Sequence, residues 1–296
     1  MFKPSKNRIG LSTTSSSPTP SSIHLVTGLL VNSEHAWNKN DDRKNESGSW
    51  LLNPFFDRLN KTVYISDVLI TEKNIVSSVI LNRYGTQTWQ NYLLKSLSNR
   101  DDIDLRPLAQ YKKSQECPYY LTYIIDHYYN LPEIILFSHG RPQVHNPHIL
   151  KHWSWFIDRV QQDIDHQFFN ASVGFLSSNC GIYVKRFIRS RPILDLLGYN
   201  RSMNPFANQI RALSVGTYCC AQFIVHRSRI LQHSISFWRL ALKISIDMND
   251  CSHFEHLWHI FFGESDELDP KKSLAVWYED AHPHFNEYCQ IKFLGE

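Results

Sequence analysis

The sequence predicts an α/β protein in which helices flank a mostly parallel central sheet. Apolar segments typical of strands alternate with amphipathic segments typical of helices along the 296 residues, a length that can bury a large core. The segment 134–137 is apolar at every position, as in a strand that is buried on both faces of a parallel sheet. We therefore expect this strand to lie at the centre of the sheet.

The predicted strands are short and rich in apolar residues. Residues 61–70 alternate between apolar and polar side chains, which is typical of a half-buried strand. The predicted strands cover residues 23–31, 61–70, 74–81, 134–137 and 218–226.

The predicted helices show apolar residues at helical spacing. Between residues 118 and 130, Leu121, Ile124 and Tyr128 share one face, and Pro118 suits the first turn. Further helices are predicted at residues 87–97, 147–164, 184–198, 235–246 and 253–263, the last of them ended by Gly263.

The predicted domain organisation has three parts. Residues 1–22 are basic and then rich in Ser, Thr and Pro, with no apolar core of a secretory signal, so we expect a disordered tail. Residues 23–59 are interpreted as an N-terminal extension, and residues 60–296 as a single α/β domain.

Charge and hydropathy exclude two classes of protein. The formal net charge is +3 with both signs interspersed, which argues against nucleic acid as a partner. No run of about 18 apolar residues occurs, so no transmembrane segment is predicted. Cytoplasm is the default location; N-x-[ST] matches at Asn45, Asn60, Asn170 and Asn200 occur at about the chance level and leave the secretory pathway open.

The six cysteines show no C-x-x-C spacing and are too few to form a disulfide scaffold for this length. We expect most of them to be buried free thiols.

Two patterns invite a metal hypothesis, and both are weak. His139, His145, His148 and His152 lie close in sequence, but Ile149 stands where an H-E-x-x-H zinc motif has Glu, so helix-entry or surface histidines are the favoured interpretation. The D-x-D pattern at residues 102–104 and 163–165 could hold a divalent cation, yet neither copy follows a buried strand. No nucleophile elbow and no glycine-rich phosphate loop occurs.

The last predicted helix carries two polar residues on an aromatic face. Glu255, Trp258, His259 and Phe262 follow the spacing of one helix face. A buried carboxylate or imidazole must be paired, so this face indicates either a structural pair or side chains at a substrate cleft.

Three segments carry a family resemblance. They read YYLTYIIDHYYNLPEIILFSHGRPQVHNP at 119–147, CCAQFIVHRSRILQHSISFWRLAL at 219–242 and FEHLWHIFFGE at 254–264. Together they resemble the domain-of-unknown-function family number thirty-four thirty-one, over about residues 74–264. The matching residues are Tyr120, Leu121, Ile124, Tyr128, Asn130, Leu131, Pro132, Phe137, Gly140, Pro142, His145, Ala221, Gln222, Phe223, Val225, Arg227, Ile230, Glu255, Trp258, Phe262 and Gly263.

The resemblance implies an A-type glycosyltransferase-like fold, with a functional loop after the central strand. The family's Q-G-D-P stands here as His139, Gly140, Arg141 and Pro142, so a cation replaces a carboxylate. The Gly-Arg pair of the family's GREAHT segment is also missing from residues 114–119. A divalent cation as cofactor is therefore in question, because its acidic ligands are absent.

The residues of these segments give the candidate site. We expect His145, Gln222 and Glu255 to converge on one cleft, since buried polar groups satisfy one another or share a ligand. Glu255 or His145 is the candidate base.

Substrate contacts are expected from His139, Gly140, Arg141, Gln222 and His259. Two functions remain open: a glycosyltransferase-like enzyme acting on a nucleotide sugar or glycan, and a catalytically silent binding protein that retains the fold.

Overall fold

The computed structural model describes residues 23–30, 48–67, 96–109, 116–144, 146–161, 174–179, 182–199, 212–218, 221–248, 251–282 and 292–294. Its strands are β1 (Ile23–Leu30), β2 (Asn60–Asp67), β3 (Ile103–Ala109), β4 (Ile134–Ser138), β5 (Phe175–Ser177), β6 (Ile182–Ile188), β7 (Leu213–Tyr218), β8 (Phe223–His226) and β9 (Lys292–Leu294). Its α-helices are α1 (Cys117–His127), α2 (Ile149–Gln161), α3 (Arg191–Leu196), α4 (Arg227–Ile230), α5 (Ile235–Met248), α6 (Ser252–Glu255), α7 (Trp258–Phe261) and α8 (Leu274–Ala281).

The main sheet of the described chain has six strands in the order β3-β2-β1-β4-β8-β5. The first four are mutually parallel, but β8 runs antiparallel to both β4 and β5. The sheet is therefore mixed, and the expectation of a mostly parallel sheet holds only for β1 to β4. The predicted central position of the 134–137 strand is confirmed, since β4 lies between β1 and β8.

Each face of this sheet is covered by helices. Along β4, Ile134 and Leu136 join the core under α2, whereas Ile135 and Phe137 join the core under α1 and α5. Successive side chains of a strand point to opposite faces, and both faces are covered here. All four side chains are therefore fully buried. The apolar run thus serves two cores at once, as expected for α/β.

One predicted helix is a strand followed by a short helix. Residues 184–198 form most of β6 and then the short helix α3, so the prediction of a single helix is wrong. β6 pairs antiparallel with β7 and parallel with β9, and Val, Ile, Phe and Tyr side chains favour such pairing. Pro192 lies in the first turn of α3, where a missing N–H costs no helical hydrogen bond, so the helix begins there.

The predicted helix at 253–263 is interrupted. α6 ends at Glu255 and α7 begins at Trp258, with non-helical φ at Leu257, which is fully buried. Glu255 and His259 therefore do not share one continuous helix face. The predicted end at Gly263 is confirmed by its φ of 82°, a conformation that glycine adopts without strain.

Several predictions concern segments outside the described ranges. Residues 1–22 lie outside them, as does the 74–97 segment except for helical residues 96–97. β1 falls in the segment 23–59 interpreted as an extension, yet its register places it between β2 and β4 in the main sheet. Among the described helices, none is long and apolar enough to cross a bilayer.

Candidate functional site

The candidate site lies at the carboxyl ends of β1 and β4. The chain steps from β1 to β2 to β3 on one side of β1, and β4 then lies on the other side. In open α/β sheets, ligands bind at such a reversal of strand order, outside the carboxyl ends of the strands. Residues 139–144 directly follow β4 and form a loop with His139 and Pro142. This loop lies at the carboxyl ends of the strands, called here the carboxyl edge, where α/β sheets bind ligands.

A buried acid and an imidazole meet at this edge. Oε1 of Glu116, the residue before α1, lies 3.6 Å from Nε2 of His139. Their side chains are 9% and 18% exposed, respectively. Burial raises the pKa of Glu116 to about 7 and lowers the pKa of His139 to about 4. Desolvation thus outweighs mutual attraction, and both groups are shifted toward their neutral forms.

A disulfide flanks this pair. Cys117, the first residue of α1, is bonded to Cys251, which caps α6, and both residues are fully buried. The Sγ atom of Cys251 lies 4.0 Å from Oε1 of Glu116. The expectation of free thiols is wrong for these two cysteines, and the other four lie outside the described ranges. Because disulfides form mainly in oxidising compartments, this bond gives no support to the predicted cytoplasmic location.

Tyr120 links the buried acid to the second and third family segments. Its hydroxyl donates to the carbonyl of Ala221 at 2.8 Å, directly before Gln222. Burial raises the pKa of Tyr120, and the charges of Glu116 and Glu255 raise it further. The charges of Glu116 and Glu255 therefore act on the same hydroxyl.

Gln222 is fully buried and binds the loop after β4. Its Nε2 donates to the carbonyl of Pro142 at 3.2 Å and to Oδ1 of Asn179 at 3.0 Å. Its Oε1 has no hydrogen-bond partner among the described residues. The amide nitrogen thus attaches the loop to Gln222. The amide oxygen is a buried acceptor that a donor group of a ligand or a water molecule could satisfy.

Asn146 holds the other end of this loop. Its Nδ2 donates to the carbonyl of Ser178 at 2.8 Å and to Nδ1 of His152 at 3.2 Å, and its Oδ1 accepts from the N–H of His148 at 3.0 Å. Asn146 and His152 are fully buried. His152 is therefore a core residue, and the side-chain amide of Asn146 attaches the loop to Ser178, the residue after β5.

Gly140 has a structural contact and an ordinary backbone conformation. Its carbonyl accepts from the N–H of Gly48 and from the indole of Trp50, each at 3.0 Å. Gly140 is not among the described glycines with positive φ, which are Gly48, Gly174, Gly198 and Gly263. Arg141 follows Gly140 in the loop after β4 and is partly buried.

Of the remaining predicted site residues, His259 is described by the structure and His145 is not. His259 is 1% exposed, and its Nε2 contacts the carbonyl of Asp266 at 3.3 Å. Burial lowers the pKa of His259 to about 4. The partner of His259 in this contact is a backbone carbonyl. His145 lies outside the described residues, so its convergence with Gln222 and Glu255 stays a prediction.

The D-x-D pattern at residues 102–104 lies at the amino-terminal ends of the strands, opposite to the candidate site. Asp102 precedes β3 and pairs with Lys61 and Arg100, and Asp104 pairs with Arg106. These carboxylates are occupied by cations at the amino ends of the strands. In the described part of the chain, no cluster of three or more His, Cys, Asp or Glu side chains could hold a metal ion, and residues 163–165 lie outside it.

Sequence reasoning missed three residues of this edge. Glu116 stood in a segment noted only for its missing Gly-Arg pair, and Cys251 had no sequence signal. Asn146 was part of the matched segment without an assigned role. The one available signal was Glu116 two residues before Pro118 and an apolar helix, which predicts a carboxylate at a helix start.

The chain is therefore an α/β protein in which polar residues gather at the carboxyl ends of β1 and β4, where the strand order reverses. The chain belongs to the family described as Protein of unknown function (DUF3431), whose model matches residues 41–277, well over half of the chain. No curated protein and no solved structure matches it.

Proposed function

We propose that this chain is a glycosyltransferase-like enzyme that acts on a nucleotide-sugar donor at the carboxyl edge of β1 and β4. The observation that carries the proposal is the reversal of strand order at this edge, followed directly by the loop at residues 139–144. The A-type glycosyltransferase-like architecture implied by the family resemblance belongs to this same proposal.

Arg141 is assigned to the donor's diphosphate. It follows the central strand at the position where the resembled pattern has an acid. A guanidinium supplies fixed positive charge and forked donors, which suit phosphate oxygens without a metal ion. The loop that carries Arg141 is fixed by the contacts of Gln222 and Asn146, which supports a preorganised site. The reaction also needs a base that takes the proton of the acceptor hydroxyl, and the sequence nominates Glu255 or His145 for it.

A thermal-shift screen tests donor binding. Nucleotide sugars at millimolar concentration are expected to raise the melting temperature of the wild-type chain by mass action, in EDTA as well as with manganese. Arg141→Ala is expected to abolish the shift and Arg141→Lys to retain part of it. Arg191→Ala removes an exposed cation paired with Asp195 and serves as the matched control.

The second candidate, a catalytically silent binding protein, is favoured by the ion pairs that occupy Asp102 and Asp104. Absence of a shift with every donor would favour this candidate and overturn the enzyme proposal. A shift that appears only with manganese and survives Arg141→Ala would overturn the assigned role of Arg141.

A further inference from the structure

Glu116 is a buried acid that the roles proposed above leave unused. It directly precedes α1, which contacts β1, and its carboxylate reaches the residue that follows β4. Glu116 therefore lies beside the two strands whose carboxyl ends form the candidate site. Glu255, the acid nominated from the sequence, lies instead at the end of the one-turn helix α6.

The surroundings of Glu116 come from three elements. His139 contacts its carboxylate from the end of β4, and Tyr120 lies one turn further along α1. From the α6 side, Cys251 approaches at 4.0 Å within a disulfide that does not titrate, and the charge of Glu255 acts on Tyr120. No Lys or Arg is paired with Glu116 among the described residues. The disulfide and the imidazole therefore lie beside a carboxylate that pairs with no Lys or Arg in the described part of the chain.

We infer that Glu116 is the base that takes the proton of the acceptor hydroxyl, and that His139 positions its carboxylate. This inference rests on the proposed function. In the step, the acceptor oxygen forms a bond to the anomeric carbon while the bond from that carbon to the donor's diphosphate breaks. The diphosphate leaves with the electron pair of that bond, and the hydroxyl proton moves to Glu116.

The electrostatics of Glu116 support this role. Its pKa of about 7, raised by burial, makes the carboxylate a stronger proton acceptor than an exposed glutamate while leaving a large ionised fraction at neutral pH. The rate of transfer is therefore expected to rise with pH through about 7, as the carboxyl loses its proton. His139 stays neutral in that range because burial lowers its pKa to about 4.

The experiment compares donor binding with turnover in matched variants. Release of nucleoside diphosphate is measured from pH 5.5 to 8.5, and the donor-induced melting shift is measured on the same proteins. Glu116→Gln is expected to retain the melting shift and to lose turnover by about 100-fold or more, the usual contribution of a general base. Glu116→Asp, which keeps the acid with a shorter reach, is expected to be intermediate. Glu267→Gln alters an exposed acid paired with Lys185 and serves as control.

The positioning role of His139 has its own readout. His139→Gln is expected to move the acid limb of the rate profile while the donor-induced melting shift persists; an unchanged limb would overturn that role. Turnover of Glu116→Gln within threefold of wild type, or loss of turnover in Glu255→Gln instead, would overturn the base assignment and leave the proposed function standing. Loss of the donor shift in Glu116→Gln would also overturn it. Absence of any donor shift in the wild type removes the proposed function and this inference together.

Discussion

Nε2 of His139 lies 3.6 Å from Oε1 of Glu116, and their pKa shifts have opposite effects on stability as the pH changes. Between pH 4 and 6.5 the unfolded His139 binds more protons than the folded one, so its contribution makes stability rise with pH. Between pH 4.5 and 7 the folded Glu116 binds more protons than the unfolded one, so its contribution makes stability fall with pH. The two contributions largely cancel.

Net stability is expected to rise with pH because further buried histidines add contributions of the same sign as that of His139. Burial lowers the pKa of four further histidines to about 4: His24, His152, His256 and His259. Each unit of pKa shift corresponds to about 1.4 kcal/mol. The melting temperature, followed by circular dichroism, should increase from pH 4.5 to 6.5. Glu116→Gln removes the opposing contribution and should steepen this increase; a flat wild-type profile would contradict the assignment of neutral buried histidines.

Asp102→Asn is expected to destabilise the protein by about 2–4 kcal/mol, because it removes the carboxylate paired with the ammonium of Lys61. The side chain of Lys61 is fully buried and also donates to the carbonyl of Leu59. Arg100 and then Lys61 hold the pKa of Asp102 at about 2, so this contribution is present above pH 4 and is lost as the pH falls toward 2. Urea denaturation measures the change.

Asp104→Asn is the matched control for that substitution. The side chain of Asp104 is 50% exposed in its pair with Arg106, so its loss should cost less than about 1 kcal/mol. Equal costs for the two variants would show that the buried ion pair is not the cause.

Asn146→Ala should cost about 2–4 kcal/mol, because it leaves the carbonyl of Ser178 and the ring of His152 without their donor. Hydrogen exchange should also become faster in residues 139–148, since the loop loses its attachment to Ser178. Gln143→Ala, an exposed position in the same loop, should change stability by less than about 0.5 kcal/mol. Unchanged exchange in Asn146→Ala would exclude the proposed attachment.

The paired substitution Cys117→Ser with Cys251→Ser is expected to lower the free energy of unfolding by about 2–5 kcal/mol, because the bond closes a long loop of the unfolded chain. A reductant should lower the melting temperature of the wild type, and this effect should be smaller in the variant. Alkylation of both cysteines in unreduced, denatured protein, detected by mass spectrometry, would show that the bond is absent.

Local patterns in the sequence determined the central strand and helix α1. The central strand was predictable because its four consecutive apolar residues can be satisfied only between two cores, and α1 because Pro118 precedes apolar residues at helical spacing. The sequence also nominated the loop after β4 as the candidate site, because open α/β sheets bind ligands outside the carboxyl ends of their strands; that assignment stays a prediction.

Only the tertiary structure decided which polar groups meet at that edge. β8 enters antiparallel beside β4, and this places Gln222 against the carbonyl of Pro142 although 80 residues separate them in sequence. Strand pairing likewise made residues 184–188 part of a strand, where the sequence alone had favoured a helix. Glu116 meets His139, and Cys117 meets Cys251, through α1, β4 and α6 packing together. Such contacts depend on the mutual placement of whole elements, whereas periodicity in the sequence reports only which face of each element is buried.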